Sequence, residues 1–234
     1  MAETDIRIGG FTPLTSIDYP DELAAVLFCL GCPWRCAYCQ NPELILQSSS
    51  HQIPWGEILE FLERRRGLLD AVVFSGGEPT LQGGLVDALR QVRALGFKTG
   101  LHTAGPYPQR LDAALELLDW VALDIKAPLQ RYARITGVDK SGEKAWESAR
   151  LIVDSGVPHE FRTTVHPSLL SPEEIDLIAR DLKALGARNF VVQECMTEHC
   201  LHSGLRHPID PDYLRALSRR DYASRFERFS LRLR

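Results

Sequence analysis

No stretch of the 234-residue chain holds 18 or more consecutive apolar residues, so no membrane-spanning helix is expected. Basic residues are not in excess either. The 27 Lys and Arg stand against 31 Asp and Glu, a net charge of −4, which excludes the electrostatic footprint of a protein whose main partner is nucleic acid. The opening residues Met1-Ala2-Glu3-Thr4-Asp5 lack the basic and apolar regions of a secretory leader, and the expected location is the cytoplasm. No low-complexity linker and no short-period repeat divides the chain. One domain over 1–234 is therefore expected, with an irregular entry over 1–22 and a C-terminal extension over 206–234. Disorder is excluded by composition: 44% apolar and 25% charged residues are the proportions of a folded protein with a real core.

Cysteine is sparse outside one place. Of six cysteines, three fall within Cys32-Pro33-Trp34-Arg35-Cys36-Ala37-Tyr38-Cys39, spaced x3 and then x2. Such crowding in a reducing compartment suits a metal better than a disulfide framework. Thiolates are soft ligands for iron–sulfur clusters, zinc or Cu(I). The loop lacks a fourth cysteine, whereas structural zinc and electron-carrying [4Fe–4S] sites are closed by four protein ligands. Three thiolates on a four-iron cluster leave one iron open, so the site reads as chemical, with zinc or free thiols as the alternatives. Cys29 lies inside an apolar run and is expected to act as a small buried hydrophobe. Cys195 and Cys200, spaced x4, could cycle between redox states or bind metal with His199 and His202. With no second dense cysteine motif they are read as incidental thiols.

Along the chain, apolar strand runs alternate with helical periodicity. Strands are expected at 23–29, 71–74, 98–103, 120–125, 160–165 and 189–193. Helices are expected at 55–66, 81–95, 110–118, 144–155 and 172–185, several of them stopped by glycine. Residues 47–52 read as a polar surface loop. Residues 6–20 carry Gly9, Gly10, Pro13 and Pro20, an irregular entry with at most one short strand. The tail gives one helix from Pro211 and a possible last strand around Phe229, Leu231 and Leu233, its arginines forming a solvated face. Serial β-then-α units argue for an α/β fold with a parallel sheet, either an open doubly wound sheet or a curved barrel.

In such folds, ligands gather at the carboxyl ends of the strands. The cysteine loop, Ser75-Gly76-Gly77-Glu78-Pro79, His102-Thr103, Asp124 with Lys126, Arg162, and Gln193-Glu194 all fall on that rim or in the strands that lead to it. Each also has a plainer reading. The double glycine can simply make a tight turn, Asp124 and Lys126 a salt-bridged strand end, and Asp18 a turn cap.

The cysteine spacing with Tyr38 before the last cysteine, together with the downstream Gly76-Gly77-Glu78, resembles the radical S-adenosylmethionine enzymes. The words from Gly31 through Leu44 are similar to the glycyl-radical activating enzymes. Gly10-Phe11-Thr12-Pro13, Asp18-Tyr19-Pro20 and Phe74-Ser75-Gly76-Gly77-Glu78-Pro79-Thr80-Leu81-Gln82 most resemble the anaerobic ribonucleoside-triphosphate reductase activating proteins. The resemblance runs from about residue 8 to about residue 193.

That resemblance implies an incomplete (β/α)6 TIM-like barrel of parallel strands, with the cluster loop at 29–42. It implies a [4Fe–4S] cluster on Cys32, Cys36 and Cys39, whose open iron chelates the amino and carboxylate groups of S-adenosylmethionine. Gly76, Gly77 and Glu78 would lie against its amino group and Tyr38 beside its adenine. Thr103, Asp124, Lys126 and Arg162 would complete the cofactor region, Lys126 or Arg162 meeting the carboxylate. One electron from a flavodoxin-like or ferredoxin donor would yield methionine and a 5′-deoxyadenosyl radical, which takes hydrogen from a glycine of a partner enzyme. The implied partner is the anaerobic ribonucleotide reductase. The alternatives are another glycyl-radical enzyme, a small-molecule radical reaction, or a non-catalytic cluster or zinc module. Where related activating enzymes carry Asp-Thr-Asn-Gly, this chain has His102-Thr103-Ala104-Gly105, so weak or absent monovalent-cation binding is expected.

Overall fold

The computed structural model describes residues 4–46, 48 and 52–233. The loop expected at 47–52 lies largely outside the described residues, and so does Arg234.

Eight strands form one sheet in sequential order: β1 (Ile8–Thr15), β2 (Ala24–Cys29), β3 (Ala71–Gly76), β4 (Lys98–Thr103), β5 (Trp120–Asp124), β6 (His159–Val165), β7 (Asn189–Glu194) and β8 (Arg228–Arg232). Only β1 is antiparallel to its neighbour; the other pairings are parallel. The crossovers carry α1 (Trp55–Glu63), α2 (Leu85–Ala94), α3 (Pro108–Leu115), α4 (Tyr132–Thr136), α5 (Ser141–Ser155), α6 (Pro172–Leu185) and α7 (Pro211–Ser218). Crossovers of one hand between sequential strands put every helix on the same face, and a right-twisted sheet covered on one face curls about the other. A doubly wound sheet would reverse its strand order at a switch point instead. The outcome is an incomplete barrel whose end strands, β1 and β8, do not pair with each other.

The six expected strands correspond to β2 through β7. The irregular entry is a correction: β1 is a full eight-residue strand. Its glycines and proline lower strand propensity, but the register shifts between Ile8 and Gly10 and between Thr12 and Thr15 absorb Gly9 and Pro13 as bulges. The short α4 was also not anticipated, and α2 starts at Leu85 because Pro79–Leu81 forms a separate 3₁₀ turn. α6 keeps the expected start: Ser171 and Glu174 cap each other reciprocally.

Alternation along the strands divides the barrel into two apolar layers. Leu27, Cys29, Val72, Phe74, Leu101, Leu123, Phe161 and Phe190 face outward and pack with Leu62, Leu89, Ile152 and Leu182 of the helices. Cys29 is fully buried there, as a small hydrophobe. Truncating Leu89 to Ala in this layer would cost about 2–5 kcal/mol. Facing inward, Ala24, Val26, Ala71, Val73, Trp120 and Ala122 with Tyr19 make a smaller floor. Above this floor, the inward register positions turn polar, with His102, Asp124, Glu160, Arg162 and Gln193 on neighbouring strands. In β8, Phe229 and Leu231 pack against the main core, leaving the alternate positions to the concave side. Arg232 is exposed to solvent, as expected of the tail arginines, and its guanidinium also meets Glu160 Oε2 at 3.1 Å.

Candidate active site

The cysteine loop leaves the end of β2 through Gly31, whose φ of +88° favours glycine. The loop is tied down on two sides. Gly31 and Cys32 donate backbone N–H groups to the carbonyls of Leu44 and Ile45, at 2.7 and 3.1 Å. Arg35 and Ala37 donate to Thr136 and Ile135 at the end of α4, at 2.9 and 3.0 Å. Cys36 is buried, while Cys32 and Cys39 are half-buried. Burial pushes the Cys32 thiol up to about 12 and also raises those of Cys36 and Cys39, so the folded loop holds neutral thiols. A metal that took their place on sulfur would have to displace those protons.

Gly76 and Gly77 press directly on this loop. A Cβ on Gly76, where φ is +105°, would strike the backbone of Cys29, and one on Gly77 would strike Gly31 and the Leu44 carbonyl. Gly77 and Glu78 donate their N–H groups to the Cys29 and Gly31 carbonyls, at 2.9 and 2.8 Å. These glycines thus let two strand-end loops approach backbone to backbone. With those N–H groups used, the turn has carbonyl oxygens to offer a ligand, which suits a donor such as an ammonium.

The Glu78 side chain is fully buried and engaged by protein donors. Its carboxylate accepts from Thr80 N–H at 3.0 Å, the Thr80 and Thr103 hydroxyls at 2.6 Å, and Ala104 N–H at 2.9 Å. Burial raises its carboxyl above the usual range, while these donors work against the rise. Glu78 and Thr103 clamp the loop after β3 to the loop after β4.

Lys126 joins the cysteine loop to β5. Its Nζ lies 3.0 Å from Asp124 Oδ2, 3.4 Å from the Tyr38 hydroxyl and 5.3 Å above the Tyr38 ring. Its backbone N–H donates to the Tyr132 hydroxyl at 2.9 Å, and that hydroxyl donates to the Asp124 carbonyl at 3.1 Å. Burial, the largest single influence, opposes the charge on Lys126, but the Asp124 carboxylate together with Tyr38, Cys36 and Tyr132 outweighs it, and the ammonium is held well above its ordinary value. The salt-bridged strand end considered from the sequence is present. It is also sealed against the loop that carries the thiols.

Deeper in the barrel, Arg162 pairs with Glu160 at 2.5 Å and stacks over Trp120 at 5.2 Å. Arg232 reaches the other oxygen of Glu160. His102 donates from Nε2 to the Asp18 carbonyl at 2.8 Å, which fixes its tautomer because a carbonyl can only accept. Asp18 itself accepts from the Thr15 hydroxyl at 2.6 Å, the turn role expected of it.

The structure thus brings Tyr38, Asp124 and Lys126 into one contact set and Gly76, Gly77, Glu78 and Thr103 into another, both touching the loop or its neighbours. Arg162 stands beside Asp124 in strand register but is committed to Glu160. Three participants were missed from sequence: Glu160, Trp120 and Tyr132. The pairing of Glu160 with Arg162 had a signal, opposite charges two apart on one strand face. Tyr132 had none, since its helix brings it back to the site only in three dimensions. Cys195 and Cys200, read as incidental, are brought together, with Sγ atoms 3.5 Å apart.

Among the described residues, no three His, Cys, Asp or Glu side chains converge closely enough to hold a single metal ion. Three thiols in one loop without a fourth protein ligand suit a group that takes one thiolate per iron and leaves one iron open.

The family model of the Radical SAM superfamily matches residues 26–182. The chain belongs to that superfamily, and it is an enzyme. A Methanocaldococcus jannaschii protein described as a glycyl-radical enzyme activating enzyme, MJ1227, is 31% identical over 185 residues, 75% of each chain. The pyruvate formate-lyase-activating enzyme of Clostridium pasteurianum is 31% identical over 214 residues, 88% of each chain. Among solved structures, SuiB of Streptococcus suis bound to S-adenosylmethionine superposes with a TM-score of 0.69 at 17% identity, over 87% of this chain. This chain spans about half the length of SuiB, 48%. QueE of Escherichia coli superposes with a TM-score of 0.59 at 16% identity, over 98% of this chain and 94% of its own. These likenesses bear on the fold alone. No helix among the described residues is long and apolar enough to cross a membrane.

Proposed function

We propose that the chain, as one domain in the cytoplasm, is an activase that abstracts hydrogen from a glycine of a partner enzyme, in the first place an anaerobic ribonucleotide reductase. A flavodoxin-like or ferredoxin donor would supply the electron. The observation that carries this reading is the three-thiol loop without a fourth protein ligand, set on the rim of an open barrel beside a buried lysine.

Cys32, Cys36 and Cys39 would lose their protons and hold a [4Fe–4S] cluster, leaving one iron for S-adenosylmethionine. When bound, these two supply the reductive cleavage of the sulfonium and the hydrogen-abstracting power. The carbonyls of the Gly76-Gly77 turn would accept from the methionyl ammonium, and Lys126 would meet the carboxylate, with Asp124 holding the lysine in place. Tyr38 presents an aromatic face for the adenine. Glu78 and Thr103 act by keeping two loops together rather than through direct contact, and Arg162 lines the interior below. The open side between β1 and β8 leaves room for a protein loop to enter. The similarity to two activating enzymes over most of both chains supports this reading.

The test is anaerobic incubation of the reduced, cluster-loaded protein and S-adenosylmethionine with candidate glycyl-radical enzymes, read by electron paramagnetic resonance. A glycyl doublet with the anaerobic ribonucleotide reductase is expected. A doublet only with another enzyme would move the partner, and cofactor cleavage without any doublet would point to a small-molecule substrate.

A further inference from the structure

Cys195 and Cys200 take no part in the proposed reaction, yet they are not scattered. Their Sγ atoms lie 3.5 Å apart, both buried, on a segment that holds the cysteine loop from outside. The hold is direct. Leu201 donates its N–H to the Cys39 carbonyl at 3.2 Å and His202 to the Ala37 carbonyl at 2.9 Å. Gln40 reaches back, donating from Nε2 to the Tyr38 and Met196 carbonyls at 2.9 and 2.8 Å and touching Cys200 Sγ at 3.8 Å. Cys200 is itself pinned: its thiol donates to the Met196 carbonyl at 3.4 Å, and its carbonyl accepts from Arg206 Nε at 2.9 Å.

Residues 196–206 contain only two three-residue 3₁₀ turns, Thr197–His199 and Ser203–Leu205. Irregular segments of this kind open locally at low free energy. A cleft of about 390 Å³, lined by Gln40, Pro42, Glu43, Glu198, His199 and Arg206, brings solvent to the residues that enclose Cys200. Burial, followed by the neighbouring Cys200, pushes the Cys195 thiol up to about 12, so Cys195 stays protonated at neutral pH. Cys200 is the sulfur bordered by that lining.

We propose that Cys195 and Cys200 form a redox site that closes to an intramolecular disulfide, with hydrogen peroxide or a small-molecule disulfide as oxidant, and that closure weakens the hold of residues 196–206 on the cysteine loop. With peroxide, Cys200 sulfur attacks one oxygen, the O–O bond breaks, and a sulfenic acid and one water form. Cys195 sulfur then displaces the second water. Two S–H bonds are lost and one S–S bond is made, the two electrons having reduced peroxide to water. A disulfide needs sulfurs about 2 Å apart, so the pair must close by roughly 1.5 Å. Cys200 immediately precedes Leu201, so the movement falls on the N–H that secures Cys39.

The inference stands apart from the assignment of the partner enzyme, and its test does not read activity. Trypsin releases residues 189–206 as one peptide carrying both thiols and no other cysteine, while the four remaining cysteines fall in peptides 8–35 and 36–64. After anaerobic treatment of the full chain with peroxide or oxidised glutathione, mass spectrometry should show peptide 189–206 lighter by two hydrogens, and dithiothreitol should restore it. Retention of both thiols in that peptide while the other peptides oxidise would overturn the site, as would a cross-link between peptides 36–64 and 189–206. Hydrogen exchange at the amides of Leu201 and His202 should quicken at least tenfold in the disulfide form. Cys195→Ser should show no such change on oxidation. Equal exchange in reduced and oxidised protein would refute the coupling to the loop.

Discussion

Lys126 and Asp124 form an ion pair at 3.0 Å in which the lysine side chain is only 6% exposed and the aspartate 36%. The cation is the fixed member and the carboxylate faces the open side. A bound carboxylate at this rim would meet a lysine already oriented, so little side-chain entropy is lost on binding. Replacing Lys126 by Met should weaken S-adenosylmethionine binding by about ten- to a hundredfold, the equivalent of a charged hydrogen bond of 1.5–3 kcal/mol. Equilibrium binding to the cluster-loaded variant checks this, and unchanged affinity would remove Lys126 from the cofactor site.

The same ion pair bears on monovalent cations. Asp124 already has a positive partner, and His102 stands where an acidic residue would be needed. Cofactor cleavage is expected to be the same in potassium, sodium and tetramethylammonium buffers at equal ionic strength. A several-fold stimulation by potassium would show that a cation site persists.

Gly77→Ala would drive a methyl group into the Gly31 backbone and the Leu44 carbonyl, neither of which can swing aside as a side chain can. The cysteine loop must shift, and the three thiols proposed to hold the cluster would lose their spacing. Iron and sulfide bound per chain after reconstitution should fall at least threefold. Gly67→Ala, where a Cβ meets nothing, serves as the control for backbone strain alone, since φ there is +75°.

Burial, reinforced by the Arg162 and Arg232 guanidiniums, holds His102 well below the ordinary histidine range, so the folded protein keeps it neutral. The unfolded chain takes up that proton near pH 6.5. Below this pH the unfolded state therefore binds more protons, and stability falls as pH drops, by up to about 1.4 kcal/mol per pH unit for one group. His159 and His166 are also lowered, chiefly by burial, and add to the slope. His102→Gln keeps a donor for the Asp18 carbonyl and removes one of these protons. Urea unfolding between pH 5 and 8 should show a shallower slope for the variant, and an identical slope would place the proton uptake elsewhere.

Cys36→Ala removes the most deeply buried of the three loop thiols. The reduced-cluster resonance and the release of 5′-deoxyadenosine should both be lost. A variant that still makes 5′-deoxyadenosine would overturn the ligand assignment.

Much of this molecule is written locally. Apolar runs at β2 through β7 and glycine stops after α5 and α6 depend on period and propensity, which a few adjacent residues express. The three-thiol loop and its position after a strand are also local, and chemistry reads directly from spacing. The strand β1 was obscured because its glycines and proline argue against a strand until β2 supplies a partner and bulges take up the misfit. Sequence alone left Gly76 and Gly77 between a turn and a ligand contact. The tertiary structure adds a third cause, the backbone of Cys29 and Gly31 lying against them. What only the folded chain decided are the encounters across long separations: Arg232 with Glu160, Lys126 with Tyr38, and Gln40 with Met196. Such pairs depend on how far the sheet curls and which strand ends meet on its concave side. That is set by the summed packing of all the crossovers, a quantity no short stretch of residues encodes.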